Sequence, residues 1–269
     1  MTRRCLVNCS ILFTDLPVLE RPAAARAAGF GAVEFWWPFD DAVPTDRDVD
    51  AFVGAISDAG VQLVGLNFFA GDMPGGDRGV VSWPARAAEF RDNVEVAVWI
   101  GERLGVAAFN ALYGNRIHGV APEEQDELAV EHLALAARAA ARIGAQVLVE
   151  PVSGAERYPL RTAADVHDVL QRVDPESGPG RVSMLADLYH LSVNGDDVEK
   201  AIATYTHRIG HVQIADAPGR GEPGTGELPL HRWLDDLDRA GYAGWVGLEY
   251  KPATADPFGW LPATERSNA

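Results

Sequence analysis

Apolar positions along this chain alternate between two spacings. Short, β-rich runs occur near Cys5–Cys9, Ala32–Phe35, Val61–Phe68, Ala107–Leu112, Gln146–Glu150, Val182–Leu188, Ile209–Ala215 and Trp245–Tyr250. Between them lie alanine- and leucine-rich stretches whose apolar residues recur three and four apart, clearest over Ala85–Leu104 and Glu123–Ile143. That spacing predicts helices with one buried stripe. Stop signals follow at Ala28-Gly29, Ala59-Gly60, Leu104-Gly105, Ile143-Gly144 and Ala240-Gly241, since glycine enters the left-handed region at a helix end without a Cβ penalty. Thr162 and Asp196 stand where the following helices need N-caps.

Eight strands alternating with helices predict a parallel α/β architecture. Eight units in 269 residues give about 34 residues each, which favours a closed (β/α)8 TIM barrel over an open doubly wound sheet. No linker divides the chain, so residues 1–269 read as one domain with a loosely packed tail after Pro252. The longest irregular stretches, Gly71–Ser82 and Pro218–Pro229, each follow a strand directly. In a barrel that places them at the C-terminal face, where active sites form.

Composition narrows the partners. With 47% apolar and 23% charged residues a large core is expected and disorder is not. A formal charge of −16 argues against a nucleic-acid partner, which normally needs a basic face. It also means that an anionic substrate needs a local cation. The opening MTRRCLVNCSILF is too short and too polar for a secretory h-region, and no run approaches transmembrane length, so no membrane partner is expected. Cys5 and Cys9 on one strand would lie roughly 13 Å apart, too far for a disulfide, and a reducing, cytoplasmic location is the expectation.

Candidate chemistry concentrates in the second half. Four apolar runs end in a side chain able to bind a metal: Glu150, Asp187, Gln213 and Glu249. On successive strands of a barrel these oxygens converge, and three carboxylates aimed at one place repel one another without a cation. Oxygen-only ligation suits a hard divalent ion such as Mg²⁺ or Mn²⁺. Taken singly, each would read as an acid capping a loop; the run of four carries the metal reading.

Other residues carry two readings each. His190, three residues after Asp187, suits polarising a substrate oxygen or satisfying a loop. Glu156 suits a substrate hydrogen bond or a solvated loop. Arg220 suits a bidentate clamp on a carboxylate or a surface pair with Glu222, and Lys251 is a second, weaker cation. Trp36-Trp37 suits a pocket wall, core packing or a contact in a homo-oligomer. Gly219-Arg220-Gly221-Glu222-Pro223-Gly224 formally matches GxGxxG, but Glu222 would repel a pyrophosphate and Pro223 removes an amide donor.

These residues, in order, resemble the hydroxypyruvate isomerase family within the xylose-isomerase-like barrels. The resemblance rests on Gly31-Ala32-Val33-Glu34-Phe35, Ala70-Gly71-Asp72, Arg78-Gly79, Glu89-Phe90-Arg91-Asp92, Glu150-Pro151, Asp187-Leu188-Tyr189-His190 and the stretch from Ile209 to Asp216. Its most specific parts are residues 220–227 and 244–252. It implies interconversion of an α-hydroxy ketone and an α-hydroxy aldehyde, hydroxypyruvate and tartronate semialdehyde foremost. It also implies Glu150 and Glu249 as paired acid/base groups, with Glu150, Asp187, Gln213 and Glu249 as metal ligands. His190, Glu156, Arg220 and Asn67 would contact a small hydroxy-oxo acid. Related ketose epimerases carry histidine where Gln213 stands. The chain departs from its relatives at Leu66, where many have histidine, and at Ser153, where asparagine is usual. Rival readings are a 2-oxo-tetronate isomerase, a ketose 3-epimerase, a DNA-repair nuclease of the related barrel type and a non-catalytic sugar-acid-binding barrel.

Overall fold

Eight parallel strands close on themselves in the computed structural model, which describes residues 3–173 and 180–266. The strands are β1 (Arg4–Asn8), β2 (Ala32–Phe35), β3 (Gln62–Asn67), β4 (Ala108–Asn110), β5 (Gln146–Val149), β6 (Val182–Asp187), β7 (Ile209–Ile214) and β8 (Trp245–Leu248). Each pairs with its sequence neighbours, and β8 pairs with β1 from Arg4↔Trp245 to Val7↔Leu248. The helices are α1 (Arg21–Ala27), α2 (Asp46–Ala59), α3 (Ala87–Leu104), α4 (Pro122–Ala141), α5 (Ala163–Val173), α6 (Leu188–Val193), α7 (Val198–Tyr205), α8 (Leu230–Arg239) and α9 (Ala263–Arg266). This is the single-domain TIM barrel that the alternating pattern predicts.

The main core lies between the sheet and the helices, where Val7, Val33, Val147 and Val212 meet Phe52, Phe90, Leu133 and Val166. Successive strand residues point to opposite faces, so the other parity fills the barrel itself. Leu6, Ala32, Val64 and Trp245 form one interior cluster, and Ala108, Leu148 and Leu185 a second. Two residues further along these strands stand Asn8, Glu34, Asn110, Glu150 and Asp187, one step nearer the mouth. An apolar floor under a polar rim is thus written into the strand alternation.

Gly60 and Gly105 end α2 and α3 in the left-handed region, at φ 64° and 69°. Thr162 forms a capping box, with Asp165 N–H donating to its Oγ1 and its own N–H donating to the Asp165 carboxylate. Two expectations need correction. The N-cap of α7 is Asp197, whose carboxylate accepts from Lys200 N–H; Asp196 instead accepts from Ala163 N–H at the start of α5. The segment after Pro252 is not loose. Phe258 and Leu261 are buried, Phe258 meets Phe30 edge-on at 5.0 Å, and Arg266 donates to Phe258 O. A few large apolar side chains in a short run were enough to dock it.

Candidate active site

Glu150 and Glu249 stand one residue beyond β5 and β8, and the ladder continues into Glu249, whose N–H donates to Ile214 O. Both line one cavity of about 920 Å³ at the C-terminal mouth, with Asn67, Ser153, His190, Arg220, Trp36, Trp37 and Phe69. Asp187 ends β6 and also caps α6, its carboxylate accepting from His190 N–H at 3.0 Å. That cap explains the spacing of the pair, because the residue three after an N-cap turns back over it. Gln213 stands behind Glu249 in the barrel interior.

Electrostatics follow from burial. Glu150 is pushed up to about 8, first by burial and then by the neighbouring Asp187, against the Asn110 amide that donates to its Oε1 at 2.6 Å. Burial likewise raises Glu249 well above the ordinary carboxylate range, opposed chiefly by Arg220. Arg220 Nη2 donates to Glu249 Oε1 at 2.5 Å and lies 3.7 Å from Asp187. The guanidinium therefore faces the acids and not Glu222, whose carboxylate accepts from Ala253 N–H. The loop after β7 holds it there. Asp216 gathers the N–H groups of Ala217, Gly224, Gly226 and Leu228, so the glycine-rich amides turn inward onto a carboxylate.

His190 is buried and its pKa is lowered to about 4, mainly by burial, so the ring is neutral at pH 7. Its Nδ1 lies 3.1 Å from Ser153 N and 2.7 Å from Ser153 Oγ. A backbone N–H can only donate, so Nδ1 accepts and the ring proton sits on Nε2. Tyr158, also buried, accepts from Tyr113 N–H and donates to Glu150 O, fixing the backbone beneath the glutamate.

Of the sequence-predicted residues, Glu150, Glu249, His190, Arg220 and Asn67 meet in the cavity, with Asp187 and Gln213 in contact with them. Glu156 does not join them: it is exposed and lies outside the cavity lining. Lys251 is exposed as well. Sequence reasoning assigned no role to Asn8, Glu34, Asn110 and His211. Glu34 accepts from Gln213 at 2.8 Å and Asn8 at 3.2 Å and lies 2.7 Å from His211 Nε2; Asn8 also donates to Glu249 at 2.8 Å. The strand-end rule used for the second half, applied to the first four strands, would have found Asn8, Glu34 and Asn110.

Ligand-capable atoms of Glu150, Asp187 and His190 lie within 4.8 Å of one another, a group that could hold a metal ion. The tautomer of His190 disfavours it as a ligand, since Nε2–H is a donor. Gln213 fits better. Both hydrogens of its amide are spent on Glu34 and Glu249, and its Oε1 is buried without a hydrogen-bond partner among the described residues. A buried amide oxygen beside carboxylates matches the all-oxygen set that hard cations take.

Comparison with known proteins places the chain in a family. The xylose isomerase-like TIM barrel family matches residues 22–266. A putative hydroxypyruvate isomerase from Streptomyces coelicolor is 57% identical over 272 residues, covering 98% of each chain. A 2-oxo-tetronate isomerase from Cupriavidus necator is 34% identical over 270 residues, covering 96% of this chain and 97% of the relative. A crystal structure described as AP endonuclease, family 2, from Brucella melitensis superposes with a TM-score of 0.85 at 32% identity, over 97% of this chain and 98% of that one. The chain belongs to the hydroxypyruvate isomerase family of xylose isomerase-like TIM barrels.

Proposed function

We propose that the chain interconverts hydroxypyruvate and tartronate semialdehyde by proton transfer through an enediolate. Its standing as an isomerase rests on its relatives; the substrate and the roles below are the reading the site supports best. The observation that carries it is that Glu150 and Glu249, from β5 and β8, are both buried and face one cavity.

One of the two glutamates, ionised, removes the proton from the hydroxyl-bearing carbon, and the other, protonated, delivers one to the adjacent carbonyl carbon. The hydroxyl proton passes from the oxygen that becomes the carbonyl to the oxygen that becomes the hydroxyl. Carboxyls raised by burial suit this work, because they hold a proton more readily than a free glutamate does. Glu150, Asp187, Gln213 and Glu249 would hold a divalent ion, Mg²⁺ or Mn²⁺, and such an ion when bound supplies Lewis-acid stabilisation of charge on the substrate's carbonyl and hydroxyl oxygens. His190 Nε2–H is a fixed donor for one of those oxygens. Arg220 holds Glu249 and offsets the local negative charge. Trp36, Trp37 and Phe69 give the same cavity an aromatic wall.

A longer substrate has one observation in its favour. A cavity of about 920 Å³ is roomy for a three-carbon acid, and a four-carbon 2-oxo acid would fill more of it. A nuclease reading has against it the net charge of −16 and the acids gathered at the mouth. The test is a panel of hydroxypyruvate, 2-oxo-tetronates and free ketoses, run with Mg²⁺, with Mn²⁺ and with chelator in deuterated water. Turnover of hydroxypyruvate with solvent deuterium in the product is the expected result. Failure to turn over any hydroxy-oxo acid ends the proposal. Absence of deuterium from recovered substrate as well would favour a binding barrel.

A further inference from the structure

A hydroxy-oxo acid brings a carboxylate into a site that already holds three, so its binding needs a cation not engaged elsewhere. Four arginines line the cavity: Arg21, Arg78, Arg86 and Arg220. Arg220 is held by Glu249 and lies 3.7 Å from Asp187. Arg86 is held by Glu89 on two nitrogens and by Asp77 at 3.3 Å. Arg21 spends Nε and Nη1 on the carbonyls of Leu16 and Cys9, which leaves only Nη2 of its guanidinium without a partner among the described residues.

Arg78 differs from Arg220 and Arg86 in having no carboxylate partner, and from Arg21, which likewise has none, in keeping both Nε and Nη2 without a hydrogen bond among the described residues. Its Nη1 donates to Met73 O at 3.0 Å and to Asp77 O at 2.6 Å, both within its own loop. Among the described residues no carboxylate lies within ion-pair distance of it, which leaves a full positive charge on the cavity wall. That charge acts on His190, together with the charge of Arg220. The loop is built to hold it. Gly79, at φ 99°, passes so close to Leu112 that a Cβ would sit 1.8 Å from its carbonyl oxygen. Gly114 N–H donates to Arg78 O, and Gly79 N–H donates to Ala70 O, so the backbone is pinned on both sides of the arginine.

We propose that Arg78, and not Arg220, binds the carboxylate of the substrate. The proposal rests on the isomerase reading for the identity of the substrate, and on the loop geometry for the residue. Recognition of the acid then comes from the loop after β3, on a different strand from the β5 and β8 that carry the reacting glutamates. A guanidinium whose Nε and Nη2 are left for ligand can engage a carboxylate bidentately.

Glycerate and glycerol, which have no carbonyl to isomerise, separate binding from turnover. Both are titrated against the wild type, Arg78→Met, Arg78→Lys and Arg21→Met in the presence of Mg²⁺, reading the shift in melting temperature. Glycerate should stabilise the wild type and Arg21→Met but not Arg78→Met, with Arg78→Lys between them; glycerol should distinguish none of the four. In turnover of hydroxypyruvate, Arg78→Met should raise KM by roughly tenfold or more with a smaller change in kcat, the mark of lost uniform binding. Equal stabilisation of the wild type and Arg78→Met by glycerate overturns the assignment, as does no stabilisation of either. If glycerate binding depends on Arg78 while no hydroxy-oxo acid is isomerised, the carboxylate site stands and the functional reading falls. Should Arg78→Met fail to fold, the charge-retaining Arg78→Lys carries the same comparison.

Discussion

Ser153 N–H donates to His190 Nδ1 at 3.1 Å, and this one contact fixes where the imidazole proton resides. The family's usual asparagine could make the same backbone bond, so the tautomer does not depend on the serine side chain. Nitrogen-15 NMR of the ring should find Nε2 protonated and Nδ1 bare through the neutral range, in Ser153→Ala as in the wild type. His190→Leu, which removes the donor from the cavity, should lower kcat by roughly 10²–10³-fold. His190→Gln, which restores an N–H, should recover part of that. A proton found on Nδ1 would remove the donor role.

Glu150→Gln and Glu249→Gln test the proton chemistry. Each replaces a buried carboxyl with a neutral amide of the same shape, so turnover should fall by roughly 10²–10⁴-fold with the fold retained. Circular dichroism and melting temperature check the fold; deuterium uptake into substrate checks whether one half-reaction survives. Near-normal turnover in either variant would sink the two-glutamate scheme.

The pH dependence of the metal-free protein carries a definite sign. Burial and Asp187 push Glu150 from an ordinary value of 4.5 up to about 8. Between those values the folded state keeps a proton that the unfolded state has lost, so this group's contribution to stability falls as pH rises. It is fully present below about 4.5 and lost as pH passes about 8. Melting temperature in chelator should therefore drop from pH 6 to pH 9, and Glu150→Gln should flatten the drop. Ion binding needs the ionised carboxylate, so added Mn²⁺ should raise the melting temperature more at pH 8.5 than at pH 6.

How far the sequence could be read follows from which interactions are local. Strand parity and helix spacing are local, and they placed the eight strands, with Glu150 and Glu249 at the mouth and Gln213 behind Glu249 in the interior. Asp187 and His190 were legible as a pair because one helical cap links them. Arg220 was legible as a cation near the site but not as the partner of Glu249, since a loop centred on Asp216 sets its direction. Glu156 kept two readings for the same reason: the loop after Glu150 carries no periodic signal, and the chain turns this residue out to solvent, the second of them. The tail was misread because docking of Phe258 against Phe30 is a contact across more than two hundred residues.

Glu34 offers a last test, of the interior that supports the rim. Its carboxylate is held among Asn8, His211 and Gln213, and it cannot move without losing those bonds. Gly247 gives it room: a Cβ there would lie 2.6 Å from Glu34 Oε1 and 3.1 Å from Gln213 Cγ. Gly247→Ala should therefore cost about 1–3 kcal/mol by overpacking and should also slow turnover, because Gln213 and Glu249 share that network. Gly54, inside α2 with nothing within 4 Å of its would-be Cβ, is the matched control. Gly54→Ala should stabilise by about 0.5–1 kcal/mol and leave activity alone. Urea unfolding with paired kinetics reads both. If Gly247→Ala behaved like Gly54→Ala, the packed carboxylate at the barrel's centre would not be supporting the site.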